Sequence, residues 1–165
     1  MTDRHLPCVL GIDPGSLRTG VGLVAQDGTR YRLVHHEVIR ATGEMAERLV
    51  HIRRRLAELL VEHRPCAAAM EDVFYGHSVS SVVKLAQARG VALVTLAEAG
   101  LDVASYPPAV VKRAVTGSGR ADKPQVTRMT TAILGLDCAP AADAADALAV
   151  ALCHAMHPGW RGPHP

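Results

Sequence analysis

Aromatic side chains are scarce in this chain: one Phe, one Trp and three Tyr make up 3% of its 165 residues. Long apolar runs are missing too. Hydrophobic residues reach 48% and the mean hydropathy is +0.12, enough for a core. Yet no stretch of about 20 uninterrupted apolar residues occurs, so nothing is expected to span a membrane. Met1 to Leu10 lacks a basic stretch followed by an apolar one, so no secretory signal is expected. Cysteine pairs of the CxxC type are absent. Cys8, Cys66, Cys138 and Cys153 are widely spaced and read as free thiols of a cytoplasmic protein, with neither disulfides nor zinc. The nine histidines contain no HxxxH or HExxH spacing. Internal repeats, linkers and low-complexity segments are absent as well. A chain of this length is one domain by size, expected over residues 1–157, with 158–165 a flexible tail.

The net charge of +2 says little, but its distribution says more. Residues 73–136 carry seven basic side chains (Lys84, Arg89, Lys112, Arg113, Arg120, Lys123, Arg128) against three acidic ones (Glu98, Asp102, Asp122). Acids gather instead at 13, 71–72 and 143–146. Taken alone, such a distribution is an ordinary solvated surface.

Apolar patterning gives the elements. Residues 8–13 form a short apolar run ended by Pro14-Gly15, read as a buried strand and a tight turn. Residues 19–24 and 31–39 read as two further strands of an antiparallel meander, joined by a turn at Gln26-Asp27-Gly28. Thr42 is the expected cap of a helix whose apolar positions run from Ala46 to Leu60 and which stops at Arg64-Pro65. Residues 66–70 form a fourth strand, with Glu71 and Asp72 at its end. Ser78 opens a long helix to about Ala97. Gly90 lies inside it at a cost of roughly 1 kcal/mol, a place where a second helix could approach closely. A fifth strand over 101–106 stops at Pro107-Pro108. A short helix, a polar loop over 116–122, a helix with Pro124 near its start and an alanine-rich helix over 141–154 complete the chain. The order βββ-α-β-α-β-α-α-α implies an α/β fold: a mixed five-stranded sheet with helices on both faces, the segments 42–63 and 78–98 supplying parallel crossovers.

Four carboxylates stand out. Asp13 ends an apolar strand, where a carboxylate is costly unless paired, and no basic residue lies within four positions of it. Its plainer role is a turn-former before Pro-Gly. Glu71 also ends an apolar strand. Asp72 points to the opposite face if the strand continues, so only one of the two can join Asp13. Asp143 and Asp146, three apart at a helix start, share a face, although capping would explain them equally. Jointly they would repel one another unless divalent cations neutralised them. Oxygen ligands without Cys or His favour Mg²⁺ or Mn²⁺, and two such ions about 3.5–4 Å apart suit phosphodiester cleavage.

These segments resemble a known family. Gly11-Ile-Asp-Pro-Gly-Ser16 with Thr19-Gly20, then Glu71-Asp-Val-Phe74, then Val83-Lys-Leu-Ala-Gln-Ala-Arg-Gly90, then Asp143-Ala-Ala-Asp-Ala-Leu-Ala-Val150 are similar, in order, to the motifs of the RuvC family of Holliday-junction resolvases. The resemblance implies a ribonuclease H-like fold and a homodimer that cuts two opposed strands of a four-way DNA junction in recombination and repair. It implies that Asp13, Glu71, Asp143 and Asp146 are catalytic metal ligands for two Mg²⁺ or Mn²⁺ ions, that Lys112 and Lys123 act in DNA handling and catalysis, and that Phe74 stacks on a base. Tyr75, Lys84, Arg89 and Arg120 join Phe74, Lys112 and Lys123 as candidate DNA contacts, and branch-migration proteins of the same pathway are expected partners. The pattern is departed from at Asp72, Ser78 and Tyr75. Rival readings are an actin-like ATPase, for which this length leaves no second nucleotide-binding subdomain, a nuclease of the same fold acting on RNA, and a non-catalytic junction-binding module.

Overall fold

The computed structural model describes residues 6–72, 78–160 and 162. Ten elements follow one another as β1 (Cys8–Asp13), β2 (Arg18–Asp27), β3 (Arg30–Arg40), α1 (Met45–His63), β4 (Ala67–Glu71), α2 (Val79–Glu98), β5 (Val103–Tyr106), α3 (Pro108–Thr116), α4 (Lys123–Ile133) and α5 (Ala142–Ala155). This is the expected order. The strands form one five-stranded sheet, β3-β2-β1-β4-β5, with β1 in the middle. β1–β2 and β2–β3 pair antiparallel, whereas β4 pairs parallel to both β1 and β5.

Alternation along β1 divides the interior in two. Leu10 and Ile12 join Met70 and the α1 and α2 residues Ile52, Leu56, Leu59, Ala92 and Leu96 in one core. Val9, with Val24 and Ala69, belongs to a second core beneath α3, α4 and α5. Each fully buried Leu or Ile contributes on the order of 1.5–3 kcal/mol, so two faces of modest side chains hold the helices, with Tyr31, Tyr106 and Trp160 partly buried against the second core.

Several local expectations are corrected. The cap of α1 is Glu44, not Thr42; the N–H of Glu44 donates to Glu47 Oε2 at 2.9 Å, a reciprocal device that a longer acid can supply. Ser78 does cap α2, accepting from the Ser81 N–H. Among the described residues no other element lies within 4 Å of a side chain built at Gly90, so none of their helices packs there. α2 is long and apolar enough by length and composition alone to cross a bilayer, a test that a helix packed on a sheet also passes, and Lys84, Arg89 and Glu98 interrupt it. Finally, Trp160 packs against the second core, its ring 5.0 Å from that of His154.

Candidate active site

Strand register places the first two acids. β1 and β4 run in parallel register from Val9 opposite Ala67 to Ile12 opposite Met70. Asp13 and Glu71, the next residue on each, therefore leave the two central strands side by side. Both alternate with residues of the α1/α2 core, so both face α5.

Glycine places the other two. Gly11 and Gly22 are opposite one another across β1 and β2, and Gly20 is opposite Asp13. A side-chain carbon at Gly20 would overlap the carbonyl oxygen of Asp143; one at Gly11 would overlap that of Ala147; one at Gly22 would meet Leu148 at 2.8 Å. The strands thus present bare backbone to α5, which answers with alanines buried along most of its length. That close packing brings the first turn of α5 down beside Asp13. Ala141 occupies the cap position and makes no side-chain cap bond, so capping does not employ Asp143 or Asp146. The turn after Asp13 is held by Thr19, buried, whose hydroxyl donates to Gly15 O at 2.8 Å.

The electrostatics register the crowding. Burial, reinforced by Asp146, Glu71 and Asp143, pushes the Asp13 carboxyl up from 3.8 to about 7, and only Lys123 opposes it. Glu71 is also raised, by burial first and then by Asp146, with Lys123 and Lys112 pulling the other way. Lys123 Nζ donates to Asp146 Oδ2 at 2.9 Å, which holds that ammonium in its charged form. Arg18 Nε lies 3.4 Å from Asp143 Oδ2. Lys112 and Lys123 share with Glu71 and Asp146 a narrow recess of about 60 Å³. The expected carboxylates and both lysines are thus gathered in one place.

Oxygen-only donors around a buried acid that resists ionisation fit hard divalent cations. Among the described residues, no three acidic, histidine or cysteine side chains converge closely enough to enclose an ion. Asp143 and Asp146 are turned to Arg18 and Lys123 instead, so taking up an ion requires exchanging those partners.

The other expected contacts are dispersed. Lys84 lines a recess of about 340 Å³ with Gly15, Ser16 and Arg18, and Arg120 lines one of about 480 Å³ with Gln125 and Arg128. Phe74 and Tyr75 lie outside the described residues. Arg89 is turned inward: its side chain is only 15% exposed and donates to Glu71 O and Ser105, with Asp72 at 3.4 Å. Asp72 turns towards α2, as its place after Glu71 in the strand predicts. Sequence reasoning missed Arg18 as the partner of Asp143 and missed the glycine floor. Three glycines at alternate positions of two adjacent apolar strands were the available signal for the latter.

The family model for crossover junction endodeoxyribonuclease RuvC matches residues 9–154. The chain is 52% identical over 151 residues to the crossover junction endodeoxyribonuclease RuvC of Halorhodospira halophila, covering 90% of each. Its structure is similar to that of RuvC from Thermus thermophilus in complex with a Holliday junction substrate, at a TM-score of 0.87 and 41% identity over 91% of this chain and 93% of that one. The yeast mitochondrial Holliday junction resolvase Ydc2, 12% identical over 88% of this chain and 76% of that one, with a TM-score of 0.65, shares the fold.

Proposed function

From the premise that the chain belongs to the RuvC family of crossover junction endodeoxyribonucleases, with its ribonuclease H-like fold, we propose how its residues perform that family's reaction. It is a Holliday junction resolvase, an endonuclease that hydrolyses phosphodiesters. The observation that supports the residue assignment is the negative charge of Asp146, Glu71 and Asp143 acting on the buried Asp13, whose carboxyl rises to about 7.

Asp13, Glu71, Asp143 and Asp146 would hold two divalent cations, Mg²⁺ or Mn²⁺. Bound there, such ions supply Lewis acidity, making water a nucleophile at neutral pH and offsetting charge on the leaving 3′ oxygen. The chain's own part follows from its charges. Asp13 gives up its proton near neutrality, when a compensating charge arrives. Asp146 and Asp143 would hold the ions in exchange for their partners Lys123 and Arg18. Lys123, freed, stands with Lys112 beside Glu71, where the two ammonium groups face a scissile phosphate and stabilise charge gathering on it. The products are a 5′ phosphate and a 3′ hydroxyl.

Two opposed cuts demand two sites, and a C₂ dimer matches the symmetry of the junction. α2 is the proposed interface. Its outward face carries Val79, Val83 and Val94, each more than half exposed, and Gly90 is open. Phe74 and Tyr75 are proposed to stack on bases at the crossover, and Lys84 and Arg120 to meet backbone phosphates. Association with branch-migration proteins and action in the cytoplasm rest on family membership alone.

The test is Asp146→Asn. With Mg²⁺ or Mn²⁺, junction nicking is abolished while junction binding survives, because the basic surface is untouched. Near wild-type cutting by the variant would overturn the assignment, and cutting of single-stranded RNA in preference to the junction would favour an RNA nuclease.

A further inference from the structure

Glu71 differs from the other acids of the site in how its backbone is held. Asp13 is followed by a braced turn, and Asp143 and Asp146 belong to a packed helix. Glu71 is the last residue of β4 and its neighbour across the sheet, Tyr106, is the last of β5. Among the described residues no ladder continues beyond them. A carboxylate there is aimed only as well as the end of the strand is fixed.

Arg89 fixes it. From α2, its Nη1 donates to the carbonyl oxygen of Glu71 at 2.6 Å. Its Nη2 donates to Ser105 Oγ at 2.6 Å and lies 3.4 Å from Asp72 Oδ1. On the other side, the N–H of Asp72 donates to Tyr106 O at 2.9 Å. The peptide between Glu71 and Asp72 is therefore gripped from α2 and from β5 together. A guanidinium suits the task, being planar, permanently charged and able to serve several acceptors at fixed angles, where an ammonium would have to choose among them. The clamp sits on the α1/α2 side of the sheet, because Ser105 alternates with Ala104 and Tyr106 of the opposite core. From there Arg89 reaches no phosphate bound over Asp13.

We infer that Arg89 is a positioning residue for Glu71, acting through the strand end rather than on DNA. The inference rests on Glu71 being a metal ligand. Partners that orient ligands typically matter 10–100-fold in metal affinity or activity.

The experiment compares wild type, Arg89→Met, Arg89→Lys and Ser105→Ala. Three quantities are measured: Mn²⁺ binding by calorimetry without DNA, junction binding in chelator, and thermal melting. Arg89→Met weakens Mn²⁺ binding on the order of 10-fold or more, with junction binding within about twofold of wild type. Arg89→Lys and Ser105→Ala, each keeping part of the clamp, fall between. Unchanged Mn²⁺ binding in Arg89→Met overturns the inference, as does weakened junction binding in chelator, the mark of a phosphate contact. Should Arg89→Met fail to fold, Ser105→Ala decides by the same criteria. A wild type that takes up no Mn²⁺ would overturn the metal-site assignment itself, a failure visible before any variant is made.

Discussion

Asp13→Asn should make the protein inactive and more stable. The unfolded chain ionises this carboxyl near 3.8, whereas the folded chain keeps its proton to about 7. Between those pH values the native state holds the extra proton, so stability from this group is full below about 3.8, falls as pH rises, and levels off above about 7. The accumulated cost at pH 8 is on the order of 4 kcal/mol, at about 1.4 kcal/mol for each tenfold in the proton equilibrium. Asn has the same shape and no charge. In chelator at pH 8, Asp13→Asn should gain about 2–4 kcal/mol, or roughly 5–15 °C in melting temperature for a domain of this size. At pH 4.5 the gain should shrink to about 1 kcal/mol, because there the native aspartate is already neutral. Adding Mn²⁺ should raise the melting temperature of the wild type and close the gap, since ions that bind only the folded state stabilise it. Melting curves in four conditions, with and without chelator at each pH, suffice. A variant that is neutral or less stable at pH 8 in chelator would refute the reasoning, and so would a gain of equal size at pH 4.5.

Two further outcomes follow from the packing and the exposed faces. Gly20→Ala puts a carbon where the Asp143 carbonyl lies; it should cost about 1–3 kcal/mol or more and suppress cutting beyond its effect on melting, measured by denaturation and nicking side by side. Val83→Glu with Val94→Glu charges the open face of α2; sedimentation at micromolar concentration should show the wild type as a dimer and the variant as a monomer with its melting temperature little changed.

Much of this was legible from the residues alone, for local reasons. Apolar runs ended by Pro-Gly and Pro-Pro announced strands, and Arg-Pro announced the end of α1. Ser78 announced the start of α2 because a short hydroxyl cap is a local signal. Where the cause was not local, the reading stopped. Glu44 caps α1 only through the reciprocal bond with Glu47. The basicity of Arg89 was visible, but not the carbonyl it serves eighteen residues back, and its charge was read as a DNA contact. The spacing of Asp143 and Asp146 fitted capping as well as a shared site. What separates the two is the glycine surface under α5, a tertiary fact assembled from Gly11, Gly20 and Gly22 on two strands.

That surface gives the site two halves of unequal temper. Asp143 and Asp146 ride on a helix whose carbonyls at Asp143 and Ala147 lie directly against the glycine backbone of the sheet. They can leave Asp13 only if helix and sheet part, which is close to unfolding the domain. Glu71 depends on a strand end gripped only by the Arg89 guanidinium from α2 and the Tyr106 carbonyl of β5. The amides around residues 71–72 should therefore exchange with solvent well before those of β1. A brief local opening would scatter the acids and stop the chemistry while the fold stayed whole, so the enzyme can be disarmed more cheaply than it can be denatured.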